Sequence, residues 1–323
     1  MPTVFDTPPP PVQNDLKRLS LALDSAVPHK SEGNLLIGTW NLRRFGSLTL
    51  KWSSTEADSP KRDLAALRSI CEIISRFDVV AIQEVTGDLR ALRTMMNFLM
   101  PGWSFLMTDI TLGAAGNSER MAFVFDNSRL KPSGLACELV VPAEWMNEVS
   151  PAALKTQFAR SPYAVSFIRK QATFILTVLH VTYGEGATSR IPELKGIARW
   201  MADWANRSTK WHHNLIVLGD FNIDRKGDAA WNAFTSTGLM VPEDLNLVPR
   251  SIFGDPGRPT LDKYYDQIAW FQKASGKIAL DMDYARGGSF DFLPHVYTAA
   301  GLSKTALSHR VSDHYPLWVE FAV

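Results

Sequence analysis

Ser312-Asp313-His314-Tyr315-Pro316-Leu317-Trp318-Val319-Glu320-Phe321 is the last apolar run of this chain. A carboxylate and an imidazole stand side by side where a loop enters a strand. The same arrangement recurs upstream. Gly219-Asp220-Phe221-Asn222 follows the apolar run 214–218, and Gln83-Glu84 ends the run 78–82. Three strands thus each deliver acid, amide or imidazole groups at one end, which is how a scaffold gathers a site from distant sequence. Asp220 and Asn222 are two apart, so in extended backbone both face one side while Phe221 turns to the core.

Between these points the patterning alternates. Apolar runs predict strands over 35–40, 78–82, 103–107, 120–125, 164–168, 173–181, 215–218, 266–271 and 317–321. Ser59-Pro60 reads as a helix start, cap then proline, for an amphipathic helix over 60–76 carrying Leu64, Leu67, Cys71 and Ile74. A second helix begins at Asp88 and stops at Pro101, and a third starts at Pro192 with Leu194, Ile197, Met201 and Trp204 on one face. Residues 1–33 read as a lead: a Pro-rich flexible stretch over 1–13, then a short helix capped by Asn14. Residues 34–323 read as one domain. Alternating strands and helices with hairpin-like pairs imply mixed sheets with outer helices.

The 323 residues are 46% hydrophobic with ten Trp, ample for a large core. The 34 basic and 33 acidic residues leave a net charge of +1, so a polyanion must be met by a local patch. Cys71 and Cys137 form no disulfide framework, and no apolar run is long enough to span a membrane. The N-terminus lacks a signal-peptide pattern, so the expected location is cytoplasmic.

The ordered set is Asn41 in Thr-Trp-Asn, Glu84 in Ile-Gln-Glu-Val, Glu119 before Arg-Met-Ala-Phe-Val-Phe, His180, Asp220 with Asn222, Asp266 in Tyr-Asp-Gln-Ile, then Asp313-His314. From about Leu35 to Phe321 it resembles the endonuclease/exonuclease/phosphatase superfamily. Trp-Asn-Leu-Arg-Arg-Phe-Gly and Phe-Asp-Val-Val-Ala-Ile-Gln-Glu-Val look most like pancreatic-type deoxyribonucleases.

The resemblance implies a four-layer α/β sandwich, two packed mixed β-sheets flanked by helices. It implies a divalent-metal-dependent phosphodiester hydrolase, most simply an endonuclease with nucleic acid as substrate, and no protein partner. The cofactor would be Mg2+, with Mn2+ as a substitute, held at Glu84 with Asn41 and Asp313. Asp220, Asn222 and the dyads His314–Asp266 and His180–Glu119 would be catalytic. Arg160 and Arg43, with Arg44 as a similar candidate, would meet phosphate.

Abasic-site endonucleases of the superfamily usually place Tyr where His180 stands, which argues against that activity. The groove-reading Arg and Tyr of pancreatic-type enzymes are replaced at Thr86 and Asn117. The alternative on the same scaffold is a phosphomonoesterase or a lipid phosphodiesterase, for which Trp52 and Trp145-Met146 are candidate membrane-facing points. A binding module with a dead site is disfavoured, because no position of the set is missing.

Overall fold

The strand β1 (Asn34–Phe45) is buried on both faces. Leu35 and Ile37 enter one apolar cluster and Leu36 and Trp40 another, as the two-residue period of a strand dictates. A strand with two covered faces belongs inside a layered fold. The computed structural model describes residues 1–99, 101–111, 117–140, 158, 160–184, 186–206, 214–255, 263–272 and 279–323. Trp145-Met146 lie outside them.

The other strands are β2 (Val79–Val85), β3 (Trp103–Met107), β4 (Arg120–Asp126), β5 (Lys131–Glu138), β6 (Tyr163–Arg169), β7 (Ala172–His180), β8 (Leu215–Ile223), β9 (Leu239–Met240), β10 (Tyr264–Phe271), β11 (Asp283–Ser289) and β12 (Leu317–Ala322). They form two six-stranded sheets, ordered β11-β12-β1-β2-β4-β3 and β5-β6-β7-β8-β10-β9. Each has one parallel pair at its centre, β1 with β2 and β7 with β8, and antiparallel pairs elsewhere. The two sheets therefore repeat one pattern of strand directions, a relation the residues themselves do not display.

Aromatic rings join the sheets. Phe123 and Phe125 of β4 meet Phe167 of β6 edge-on, with centroids 5.8 and 5.2 Å apart, and Trp270 of β10 meets Phe321 of β12 at 5.3 Å. The helices α1 (Pro10–Ala26), α2 (Leu64–Ile74) and α3 (Arg90–Leu99) share the cluster on the far face of β1. The helices α4 (Ala187–Asn206) and α5 (Ala229–Thr235) pack on the second sheet, and α6 (Lys304–Ser308) precedes β12. The result is the four-layer sandwich. Among the described residues no helix is long and apolar enough to cross a membrane.

Helix boundaries differ from the sequence expectation, each for a local reason. Helix α2 starts after Asp63, whose carboxylate accepts from the Ala66 N–H; Ser59-Pro60 lies upstream and caps nothing. Helix α1 starts at Pro10 rather than at Asn14, since proline suits a first turn whose N–H groups lack partners. The residues before it are not free: Val4 is buried and its carbonyl accepts from Arg68 Nη1. Helix α4 begins a turn before Pro192. Arg190 holds that turn, donating from Nε to the Tyr183 carbonyl (2.8 Å) and from Nη1 to Asp224 (3.0 Å).

Gly219 on β8 faces Leu179 of β7, and its φ is +134°. A Cβ there would stand 2.1 Å from the Leu179 carbonyl oxygen. Strained backbone and overpacking each cost about 1–3 kcal/mol. Gly219→Ala is therefore expected to destabilise the protein by about 2–5 kcal/mol in urea unfolding; a loss below about 0.5 kcal/mol would contradict this packing.

Candidate active site

The register of the second sheet sets the centre of the site. His180 on β7 is paired with Asp220 on β8, and Asp220 with Asp266 on β10. Cross-strand partners project to the same face, so three chemically active side chains stand in one row. The first sheet brings Asn41 and Glu84 to it, and the loop before β12 brings Asp313 and His314. All these residues except Asn41 and Asp266 line one cavity of about 940 Å³; those two lie buried behind its wall.

Asp220 is the hub. His180 Nε2 is 3.7 Å and His314 Nε2 3.9 Å from its Oδ2, and Asn41 Nδ2 donates to the same oxygen at 3.0 Å. Its other oxygen accepts from the Asn222 N–H at 2.9 Å. Behind each imidazole stands a carboxylate. His314 Nδ1 is hydrogen-bonded to Asp266 Oδ2 at 2.6 Å, and His180 Nδ1 is 3.2 Å from Glu119 Oε2. Both carboxylate–histidine pairs expected from the sequence are thus present, aimed at one oxygen from two sides. Asn222 Nδ2 donates to the Val181 carbonyl at 2.7 Å, leaving a second N–H of the same amide for a ligand.

Backbone irregularities do the aiming. The β1–β2 register slips between Asn41 and Phe45, the β2–β4 register between Ile82 and Val85, and the β8–β10 register between Tyr264 and Asp266. Such bulges re-aim side chains beside active sites. Eight non-glycine residues among those described have positive φ, and five of them (Arg44, Glu84, Asn117, Ser118 and Asn222) line the cavity. Left-handed backbone at bulky residues is costly, so its concentration here marks the functional region independently of any motif.

Buried donors support these turns. Arg62 is 2% exposed, and its guanidinium donates to the carbonyls of Leu42, Arg43, Arg44, Arg310 and Val311. It ties the end of β1 to the segment that enters Asp313-His314. Trp40 Nε1 donates to the His314 carbonyl at 2.8 Å, and Ser312 Oγ donates to the Asn41 carbonyl while accepting the His314 N–H.

The electrostatics follow from burial and pairing. Burial alone would lift the Asp220 carboxyl; the imidazoles of His314 and His180, with the Asn222 and Asn41 donors, outweigh it and hold the group below the usual carboxylate range. Burial would push the His314 imidazole down, but the charge and hydrogen bond of Asp266, with Asp220 beyond, raise it to about 10. Burial raises Asp266 to about 6 against the pull of His314. Between those two values the pair is carboxylate and imidazolium.

Two groups of residues could hold a cation. Asp220, Asp266 and His314 bring one ligand atom each within 4.8 Å of one another. A protonated His314 cannot ligate, so this trio suits proton and charge management better. Glu84 fits a hard cation. Its oxygens accept from Asn41 Nδ2 (2.9 Å) and the Arg44 N–H (2.8 Å), which leaves lone pairs for the cavity. Asp313 also lines the cavity but is ion-paired to Arg43 at 3.0 Å.

The arginines stand differently from the sequence reading. Arg43 does not line the cavity; it is occupied by Asp313 and by Ser308 Oγ. Arg160 lines the cavity, but it is buried, with Nε 2.9 Å from Glu119 and Nη1 donating to the His180 carbonyl, so it orients that dyad. Arg44 lines the cavity and has no carboxylate partner among the described residues. Thr86 and Asn117 are lining residues as well, and Asp224 is bound by Arg190 and Lys263 away from the centre. The sequence reading missed Tyr265, whose ring centroid is 5.8 Å from that of His314, and Tyr183. The Tyr265-Asp266 adjacency was the available signal for the first; nothing marked the second.

Comparison with known proteins bears on the family and the fold. A curated deoxyribonuclease of Thioalkalivibrio sp. (strain K90mix) is 26% identical over 302 residues, covering 91% of this chain and 73% of the relative. Among solved structures, D. rerio TDP2 complexed with single strand DNA product superposes with a TM-score of 0.58 at 14% identity, covering 90% of this chain and 99% of that one. A mannosyl-6-phosphatase of Bacteroides thetaiotaomicron VPI-5482 gives 0.57 at 16% identity, covering 90% and 100%. At such identities these likenesses speak for the fold. Residues 38–314, most of the chain, match the sequence profile of the Endonuclease/Exonuclease/phosphatase family, and the chain belongs to that family.

Proposed function

We propose that this protein is a divalent-cation-dependent phosphodiester hydrolase that cuts nucleic acid. The observation that carries the reading is the convergence of two carboxylate-backed histidines on Asp220 in one open cavity. A phosphodiester presents two non-bridging oxygens and a leaving oxygen, and the site offers a donor for each. His180 and the free N–H of Asn222 hold the non-bridging oxygens. Asp220 orients the attacking water and takes its proton as oxygen bonds to phosphorus. The bond to the leaving oxygen breaks, and the His314 imidazolium protonates that oxygen. The Nε2–Oδ2 separation of 3.9 Å then returns the proton from Asp220 to His314. Glu84, with Asn41 and Asp313 beside it, would hold Mg2+ or Mn2+, which neutralises charge developing on the phosphoryl group.

A cluster of unpaired cations would suit a doubly charged phosphomonoester; among the described lining residues Arg44 alone has a guanidinium without a carboxylate partner, which suits the singly charged diester.

Four outcomes check this reading. Glu84→Gln, like excess EDTA, is expected to abolish cleavage of plasmid and single-stranded DNA while the fold survives by circular dichroism. Full turnover in either case would contradict cation dependence. His314→Ala and Asp220→Asn are each expected to lower kcat by ~10²–10³-fold, the usual cost of removing one such contact. If phosphomonoesters or sphingomyelin are hydrolysed far faster than any polynucleotide, the nuclease reading falls. The pH dependence has a set direction. As pH falls below about 6, Asp266 gains a proton and the dyad loses its anion. As pH rises above about 10, His314 loses the proton it donates. Plotted against pH, kcat/KM should form a broad plateau between those limbs, and an alkaline limb near 7 would contradict the assignment.

A further inference from the structure

Three Phe, Tyr or Trp side chains are exposed among the described residues: Phe5, Tyr183 and Phe253. Two of them adjoin the site. Phe253 is two residues beyond Ser251, which is bridge-paired with His314, and Tyr183 lines the cavity itself. A single exposed aromatic is ordinary on a protein surface; what sets Tyr183 apart is how its ring is held.

Tyr183 is built as a rigid surface. The buried Arg190 guanidinium lies 4.5 Å from the ring centroid and covers one face. The same guanidinium donates to the Tyr183 carbonyl at 2.8 Å and to the Asn222 carbonyl, so the ring is fixed relative to the amide that faces the phosphate. Tyr265, whose ring centroid lies 5.8 Å from that of His314, lines the same cavity. One face is thus backed by a cation that also holds the residue's own carbonyl, yet the residue is 58% exposed. A ring held in this way and left open is a stacking surface for a planar group.

We propose that Tyr183 stacks an unpaired nucleobase next to the scissile phosphate, so that the substrate is single-stranded nucleic acid. The proposal rests on the nuclease reading above and narrows it. In a duplex the base faces are already stacked and duplex binding relies on many Lys/Arg–phosphate contacts. Here the lining offers Arg44 as the guanidinium without a carboxylate partner among the described residues. Single strands are held instead by modest charge plus base–aromatic stacking, which tolerates any sequence.

The test uses the full chain in a His314→Ala background with magnesium, so that bound strand is cut at least about a hundredfold more slowly during the measurement. Fluorescence anisotropy would give Kd for a short mixed-sequence single-stranded DNA, its RNA counterpart, an abasic strand of equal length and a blunt duplex. Base-bearing single strands should bind at least about fivefold tighter than the abasic strand. Tyr183→Ala should erase that gap, and Tyr183→Phe, which keeps the ring, should preserve it. The DNA and RNA arms show which sugar is preferred. An Ala variant that keeps the gap, or a duplex bound as tightly as the single strand, would overturn the proposal while leaving the nuclease reading intact. Failure of the unsubstituted protein to cut or bind any of these polymers would sink both.

Discussion

A buried carboxylate must be paired, and Asp220 is the carboxylate around which this site is organised. Isolated in the interior it would take up a proton, because desolvation of an ion is expensive. Two imidazoles and two amide donors keep it charged instead. Each imidazole in turn needs an acid behind it, supplied by Asp266 and Glu119, and Glu119 needs Arg160. The chain of compensation runs across both sheets. Removing one member leaves an uncompensated charge in the row, which is why the site behaves as one electrostatic unit rather than as separate residues.

The same logic accounts for the odd backbone. Bulges and left-handed residues interrupt the regular pleat at the strand ends that carry Asn41, Glu84 and Asn222, at a cost in local stability. Arg62 and Arg190 offset part of that cost. Both are almost fully buried, and both donate to backbone carbonyls around the site. Helix α2, just beyond Arg62, and helix α4, which carries Arg190, thus serve as frames for the site as well as layers of the sandwich.

The site's polar set was legible because each member interrupts or ends an apolar run, and a polar group at the end of a buried strand has few structural excuses. Strands β1, β2, β4, β7, β8, β10 and β12 were legible for the same reason. Other features left no pattern. Strand β11 carries Gly287 and Gly288 with little apolar alternation, and edge strand β5 contains Pro132, so neither reads as a strand. Arg62 and Arg190 act on backbone carbonyls, which have no residue-type signature. Arg43 looked like a phosphate ligand because it follows Asn41, but Asp313 had claimed it, and ion pairing across 270 positions cannot be read from spacing. Tyr183 is an ordinary loop tyrosine until Arg190 is seen beneath it.

The central claim is that Asp266 and Asp220 hold His314 as an imidazolium within the resting site. Nitrogen-15 NMR of labelled histidine, followed through a pH titration, reads this directly. The account predicts a His314 resonance that stays protonated well above neutrality and titrates near 10, with Asp220→Asn lowering that value and Asp266→Asn lowering it further. A His314 that titrates near its ordinary value of about 6.5, indifferent to both substitutions, would contradict it.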